Sequence, residues 1–197
     1  MNSVEQLKNH VQPGVVYRRA DLEKWSGAVD RHLRQLTNSG ALVKLSGGLY
    51  YSPKKTVFGS APADDEALVR AFLKDDRFLL TSPNLYNALG LGTTQLYNET
   101  VVYNRKRHGH FKLGGRTFRF AVKHYFPEKP TPEFLLVDVV NNLDQLAEDR
   151  EKVLAQVKNK AASMKNRALA DAVRDYGGAR ARKFFSALLT SDKLQYA

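Results

Sequence analysis

The sequence predicts an α+β protein in three stretches: an N-terminal group of short helices closed by a hairpin, a small α+β unit, and a C-terminal helical segment. Three observations carry this expectation. Apolar residues recur at helical spacing through the first 39 residues. Gly-Gly pairs separate strand-like runs at 41–51 and again within 100–125. Past Pro127, Pro130 and Pro132 the composition turns to strong helix formers.

Taken in order, Ser3-Val-Glu-Gln6 is a capping box, and Val4, Leu7 and Val11 follow at helical spacing, so a first helix should end before Pro13-Gly14. Val15–Tyr17 can form a short strand, and Ala20, Leu22 and Trp25 supply the apolar positions of a brief second helix. Ser26 is the expected N-cap of a third helix that runs to about Ser39 and stops at Gly40, with Asp30 complementing the positive end of its dipole. At about 100° per residue, Val29, Leu33 and Leu36 gather on one side of this helix. Gly27, Arg31, Arg34 and Asn38 gather on the other, with Gln35 beside them. Ala41–Leu45 and Leu49–Tyr51 then read as strands around a Ser46-Gly47-Gly48 turn. Helix, short strand, helix, helix and hairpin in this order are the elements of a winged helix-turn-helix over residues 1–57. Its expected core is Leu7, Val16, Leu22, Trp25, Val29, Leu33, Leu36 and Leu42.

Gly59 to Asp65, with two alanines, a proline and a glycine, reads as a linker, which places a domain boundary near residue 57. The second domain, 58–197, divides into an α+β unit over 58–130 and a helical segment over 131–197. Helices are expected near 64–74 and 82–89, the latter broken by Gly90 and Gly92. Strands are expected at 100–103, 110–113 and 117–125 around a Gly114-Gly115 turn. The last helix should run from Ala179 to about Leu189.

Charge is unevenly spread along the 197 residues. The net +11 comes from the two ends: +5 over 1–57 (nine basic, four acidic), zero over 58–150, and +6 over 151–197 (ten basic, four acidic). A neutral middle argues for two basic surfaces, the first of which suits double-stranded DNA. Arg31, Arg34, Gln35 and Asn38 are donors matched to guanine and adenine edges, and Gly27 permits close approach. Arg18, Arg19, Lys24 and Lys44 flank that face, where side chains meet phosphates. At the other end, Arg180, Arg182 and Lys183 crowd the first turn of the last helix and oppose its dipole, a cost that an anion or an acidic partner would offset.

Other chemistry finds little support. With no cysteine there is neither a disulfide framework nor a thiolate metal site. No long apolar run is present and Met1–Gly14 is mostly polar, so a cytoplasmic protein without a membrane partner is expected. His108-x-His110 lies in a basic run, RKRHGHFK, better explained as a solvated hairpin than as metal ligands. The acidic pairs and glycine pairs fit no phosphate-binding or dinucleotide motif, and no serine has a nucleophile setting. The reading is a non-enzyme with no cofactor.

Residues SGAVDRHLRQLTNSGALVKLSGGLYY, the Phe58-Gly59 junction, and TSPNLYNALGLGTTQLYNETVVYNRKRHGHFKLGGRTFRF together resemble the AbiEi antitoxins of bacterial AbiE-type toxin–antitoxin pairs, which act in phage defence. The similarity covers roughly residues 15–125, and its most particular parts are Gly47-Gly48-Leu49-Tyr50 and Asn87-Ala88-Leu89-Gly90-Leu91. The resemblance implies a type IV antitoxin whose winged helix represses its own operon. It further implies that the remaining portion counteracts a nucleotidyltransferase-like toxin without a stable complex; Arg180, Arg182 and Lys183 are candidates for that task because they oppose the helix dipole, not because of the resemblance. The C-terminal helices match no motif of the family. Two other functions stay open at this point: a free-standing transcription regulator whose middle unit senses a ligand, and an RNA-binding protein.

Overall fold

The computed structural model describes residues 3–91 and 96–194, and has a mixed α and β fold. Its chain parts into two compact units, one made of residues up to Asp76 with Lys106–Phe118, the other of Arg77–Arg105 with Arg119 onward. Gly92, expected to break a helix, lies outside the described residues.

The first unit opens with α1 (Ser3–Asn9), β1 (Val16–Arg18), α2 (Arg19–Glu23), α3 (Val29–Asn38), β2 (Val43–Ser46) and β3 (Leu49–Tyr51). These strands form an antiparallel sheet of order β1-β3-β2, with Val16 and Val43 both opposite Tyr51. Gly47-Gly48 turns the β2–β3 hairpin, and Gly48 takes φ +71°, which a side chain would strain. Leu7, Leu22, Val29, Leu33, Leu36 and Leu42 form one buried cluster, as their spacing predicts. Trp25 is half-buried against that cluster and stacks on His10 at 4.8 Å, while Val16 is also only half-buried.

Ser26 is not the cap of α3. The helix begins at Val29 behind an Ala28 that offers no side-chain cap, and the Ser26 hydroxyl instead lies 2.7 Å from Nδ1 of the buried His32. The hydroxyl is used inward, on a buried imidazole, while the helix end stays open to water.

The expected linker is structured. Gly59–Ala61 forms β5, paired antiparallel with β4 (Lys54–Thr56). The Tyr51 hydroxyl donates to the Ala61 carbonyl at 2.9 Å, and the Arg116 guanidinium reaches both the Ala63 carbonyl and the Asp65 carboxylate. Asp64 then caps α4 (Asp65–Leu73) by accepting from the Ala67 N–H at 3.0 Å, and Lys74 ends it in the left-handed conformation at φ +53°. The compact units therefore follow a division different from the boundary expected at residue 57.

The second unit begins with β6 (Phe78–Thr81), α5 (Asn84–Asn87) and β7 (Thr100–Asn104), with β6 and β7 antiparallel from Phe78 opposite Asn104 to Thr81 opposite Val101. The chain then supplies β8 (Gly109–Leu113) to the first unit, and β9 (Arg116–Val122) starts beside β8 and ends beside β7. α6 (Pro132–Asn141) has proline in its first turn, and the Thr131 hydroxyl caps the Phe134 N–H at 3.2 Å. Every residue from Phe134 to Val140 is buried, the mark of a helix packed on all sides. After a 3-10 turn (Leu143–Gln145) come α7 (Arg150–Ala162), capped by Asp149, then α8 (Asn166–Tyr176) and α9 (Ala179–Leu194). α8 and α9 both pack on α6, and all three contribute to one core that includes Phe134, Leu169, Val173 and Phe185. Among the described residues no helix is long and apolar enough to cross a membrane.

Candidate nucleic-acid interface

α3 buries Val29, His32, Leu33 and Leu36, which fixes the rotation of the helix about its axis. Arg31, Arg34, Gln35 and Asn38 are thereby turned to solvent together, and Gly27 lies exposed just ahead of the helix. Neither Arg31 nor Arg34 forms an ion pair among the described residues; Arg31 Nη2 lies 3.5 Å from His32 Nε2, and Arg34 lends Asp30 a favourable charge. The face is thus a row of donors on a rigid element, anchored from behind by the apolar cluster and the Ser26–His32 contact.

The flanking cations divide into two kinds. Arg18 is spent on structure: its Nε and Nη2 each bind a different oxygen of Asp21 at 2.8 Å, while the Arg18 backbone N–H donates to the same carboxylate at 3.1 Å. This closes a capping box on α2 and holds the Asp21 carboxyl below the usual carboxylate range. Arg19 spans α2 and α3, binding both Asp30 oxygens at 2.7 Å and Glu23 at 3.1 Å, and it depresses the Asp30 carboxyl in the same way. Lys24 lies 4.3 Å above the Trp25 ring with its side chain exposed, and Lys44 is exposed on β2. Of the four residues expected at phosphates, Lys24 and Lys44 form no ion pair among the described residues, whereas Arg18 and Arg19 already have theirs. Linear charge counting could not show this, because Asp30 is eleven residues from Arg19 in sequence.

In the second unit the basic cluster at the start of α9 separates. Arg180 binds Asp144, which Arg150 also holds at 2.8 Å, so the Asp144 carboxyl is held below its ordinary range. Arg182 turns back to donate to the Arg174 carbonyl at 3.1 Å, and Lys183 is exposed. The three residues share a helical turn without sharing a site. His108 and His110 are exposed, and no group of three or more His, Asp or Glu residues among those described could hold a metal ion.

Sequence reasoning missed a buried and heavily bonded carboxylate. The Asp138 carboxylate, on α6, is fully buried; it accepts from the Tyr86 hydroxyl at 2.8 Å, the Tyr103 hydroxyl at 2.9 Å and the Lys123 ammonium at 2.7 Å. Lys123 also lies 3.7 Å above the Tyr103 ring. Asn142, one turn on, donates to the Tyr103 hydroxyl at 3.0 Å. Burial first, and then the nearby Asp138 charge, push both phenols well above the ordinary tyrosine range. With both carboxylate oxygens bonded and neither open to water, the group ties α6 to α5, β7 and the residue that follows β9. The available signal was one acidic residue within the apolar run FLLVDVV.

No family model and no curated protein matches the chain. Among solved structures, the crystal structure of the RV2827C protein from Mycobacterium tuberculosis is similar, with a TM-score of 0.58 at 18% sequence identity. The match covers 95% of this chain and 75% of that one. At such identity the likeness is one of fold.

Proposed function

We propose that the chain is a type IV antitoxin that represses its own operon. Its first unit acts as a winged helix, with α3 in the major groove of double-stranded operator DNA, and the protein counteracts a nucleotidyltransferase-like toxin without a stable complex. The observation that carries the DNA reading is the exposed row Arg31, Arg34, Gln35 and Asn38 on a helix followed at once by the β2–β3 hairpin. A helix followed at once by a hairpin is the element order a winged helix uses, in which the recognition helix reads base edges and flanking residues hold phosphates. Arg31 and Arg34 are matched to guanine, Gln35 and Asn38 to adenine. Lys24 and Lys44 supply phosphate contacts. The antitoxin half of the reading rests on the sequence resemblance alone, and the cytoplasm is the compartment it requires.

The test uses the full chain, because the first unit is built from two separate stretches and cannot be removed by one cut. Footprinting on the upstream region should show protection, and Arg31→Ala with Arg34→Ala should abolish it while the protein stays folded. Co-expression with a nucleotidyltransferase-like toxin, if one is encoded beside the gene, should restore growth, and the same double variant should still do so. Unchanged protection by the folded double variant would overturn the recognition-helix assignment. Failure of the wild-type protein to restore growth would overturn the antitoxin assignment without touching the first.

A further inference from the structure

We propose that the second unit holds a nucleotide-binding cleft at the elbow between α8 and α9. The cleft measures about 470 Å³ and is lined by Arg105, Tyr125, Phe126, the Arg174–Asp175 pair, Tyr176 and Arg182. That volume lies in the range of small-molecule sites.

Its charges are not equivalent. Arg174 is neutralised, with Nε and Nη2 on the two oxygens of Asp175 at 2.8 and 3.2 Å and Nη1 on Asp171. Arg105 and Arg182 have no carboxylate partner among the described residues. Each is instead positioned by a backbone carbonyl: Arg105 Nε donates to His124 O at 3.0 Å, and Arg182 Nη2 to Arg174 O at 3.1 Å. A guanidinium has five N–H donors, so each keeps several for a ligand while its stem is held. Two such cations in one cleft repel each other, and a phosphate dianion would relieve that repulsion through charge-assisted hydrogen bonds.

The elbow is built for this approach. A Cβ on Gly177 would stand 2.4 Å from the Val173 carbonyl oxygen, which excludes a side chain there, and 3.1 Å from Arg182 Cγ, so the Arg182 stem runs close over the turn. Asn141 of α6 clamps the same turn, donating to Tyr176 O at 3.0 Å and accepting from the Gly178 N–H at 2.9 Å. Beside the cations, Tyr125 is 72% exposed, a large ring that the fold leaves at the surface. Guanidiniums for a phosphate and an open aromatic face for a base specify a nucleotide rather than a bare anion.

Calorimetric titration of the full-length protein with AMP, adenosine, inorganic phosphate and a 5′-phosphorylated oligonucleotide tests the proposal, with thermal unfolding to show that each variant folds. AMP should bind more tightly than adenosine or phosphate. Arg105→Ala and Arg182→Ala should each weaken AMP by about tenfold or more, Tyr125→Ala should weaken it several-fold, and Tyr125→Phe should leave it unchanged. Phosphate binding as well as AMP would overturn the role of Tyr125. The oligonucleotide binding where AMP does not would replace the free nucleotide by a strand end. An absence of binding by both AMP and the oligonucleotide, or AMP binding unaltered in the folded arginine variants, would overturn the cleft.

Discussion

Two helices, one in each unit, place their charged side chains in opposite ways. On α3, Arg31 and Arg34 are held at the surface without an ion pair among the described residues, and the groups that stabilise the helix lie on its other side. On α6, Asp138 is enclosed and its oxygens take donors from Tyr86, Tyr103 and Lys123. A charge left open contributes little to folding and is available to a partner; a charge sealed and fully bonded is available to nothing, and its removal strands its donors. The α3 row is accordingly expected to matter for binding alone and the Asp138 network for stability alone.

The largest expected effect breaks the network. Asp138→Ala leaves Lys123 and two phenols without their acceptor, and should lower the unfolding free energy by about 3–5 kcal/mol. Asp138→Asn keeps an acceptor oxygen and should recover part of that loss. Chemical denaturation of both variants gives the comparison, and an Asp138→Ala protein as stable as wild type would mean the network is ornamental.

The same network predicts an alkaline limit. Both phenols have folded pKa values raised above the unfolded value of about 10, so their contribution is complete below pH 10 and is lost as pH rises, because only the unfolded chain ionises there. Each tyrosine should remove up to about 1.4 kcal/mol per pH unit above 10. Tyrosinate absorbance should appear together with unfolding; two phenols ionising in a folded protein would contradict the enclosure.

On α3 the expected result is inverted. Arg31→Ala or Arg34→Ala should cost roughly 1–3 kcal/mol of operator affinity, relax preference at particular base pairs, and leave the denaturation midpoint in place. A shift in midpoint without a change in DNA binding would move these residues into the structural class.

How much of this was legible follows from what periodicity encodes. The helical period of Val29, Leu33 and Leu36 gave the face of α3, because a helix in contact with one core must alternate on that period. The Gly47-Gly48 and Gly114-Gly115 pairs gave their turns, because both need positive φ, seen at +71° for Gly48 and at +57° and +84° for the second pair. Tertiary partners carry no such local mark. Ser26 looked like a cap until His32 claimed its hydroxyl, and Gly59–Ala61 looked like a linker until β4 paired with it. Arg19 and Arg180 looked like open charges until folding brought Asp30 and Asp144 to them.

That last confusion defines the smallest and sharpest test, a comparison of Arg19 with Lys44 on the proposed DNA-binding side. Lys44→Ala should weaken all sequences alike and lower the slope of log affinity against log salt by about one, as expected for a lost phosphate contact. Arg19→Ala should leave that slope nearly unchanged, since its guanidinium is already bound to Asp30 and Glu23. Its signature should appear in acid instead. Arg19 holds the Asp30 carboxyl low, so the associated stability is present above the unfolded carboxylate pKa of about 3.9 and is lost as pH falls through the lower folded value. In the variant the Asp30 titration, followed by NMR, should move up toward the ordinary range, with operator affinity retained. If Arg19→Ala instead lowers the salt slope as much as Lys44→Ala, the Asp30 pair opens on binding. The separation of structural from DNA-facing cations in the first unit would then hold only for the free protein.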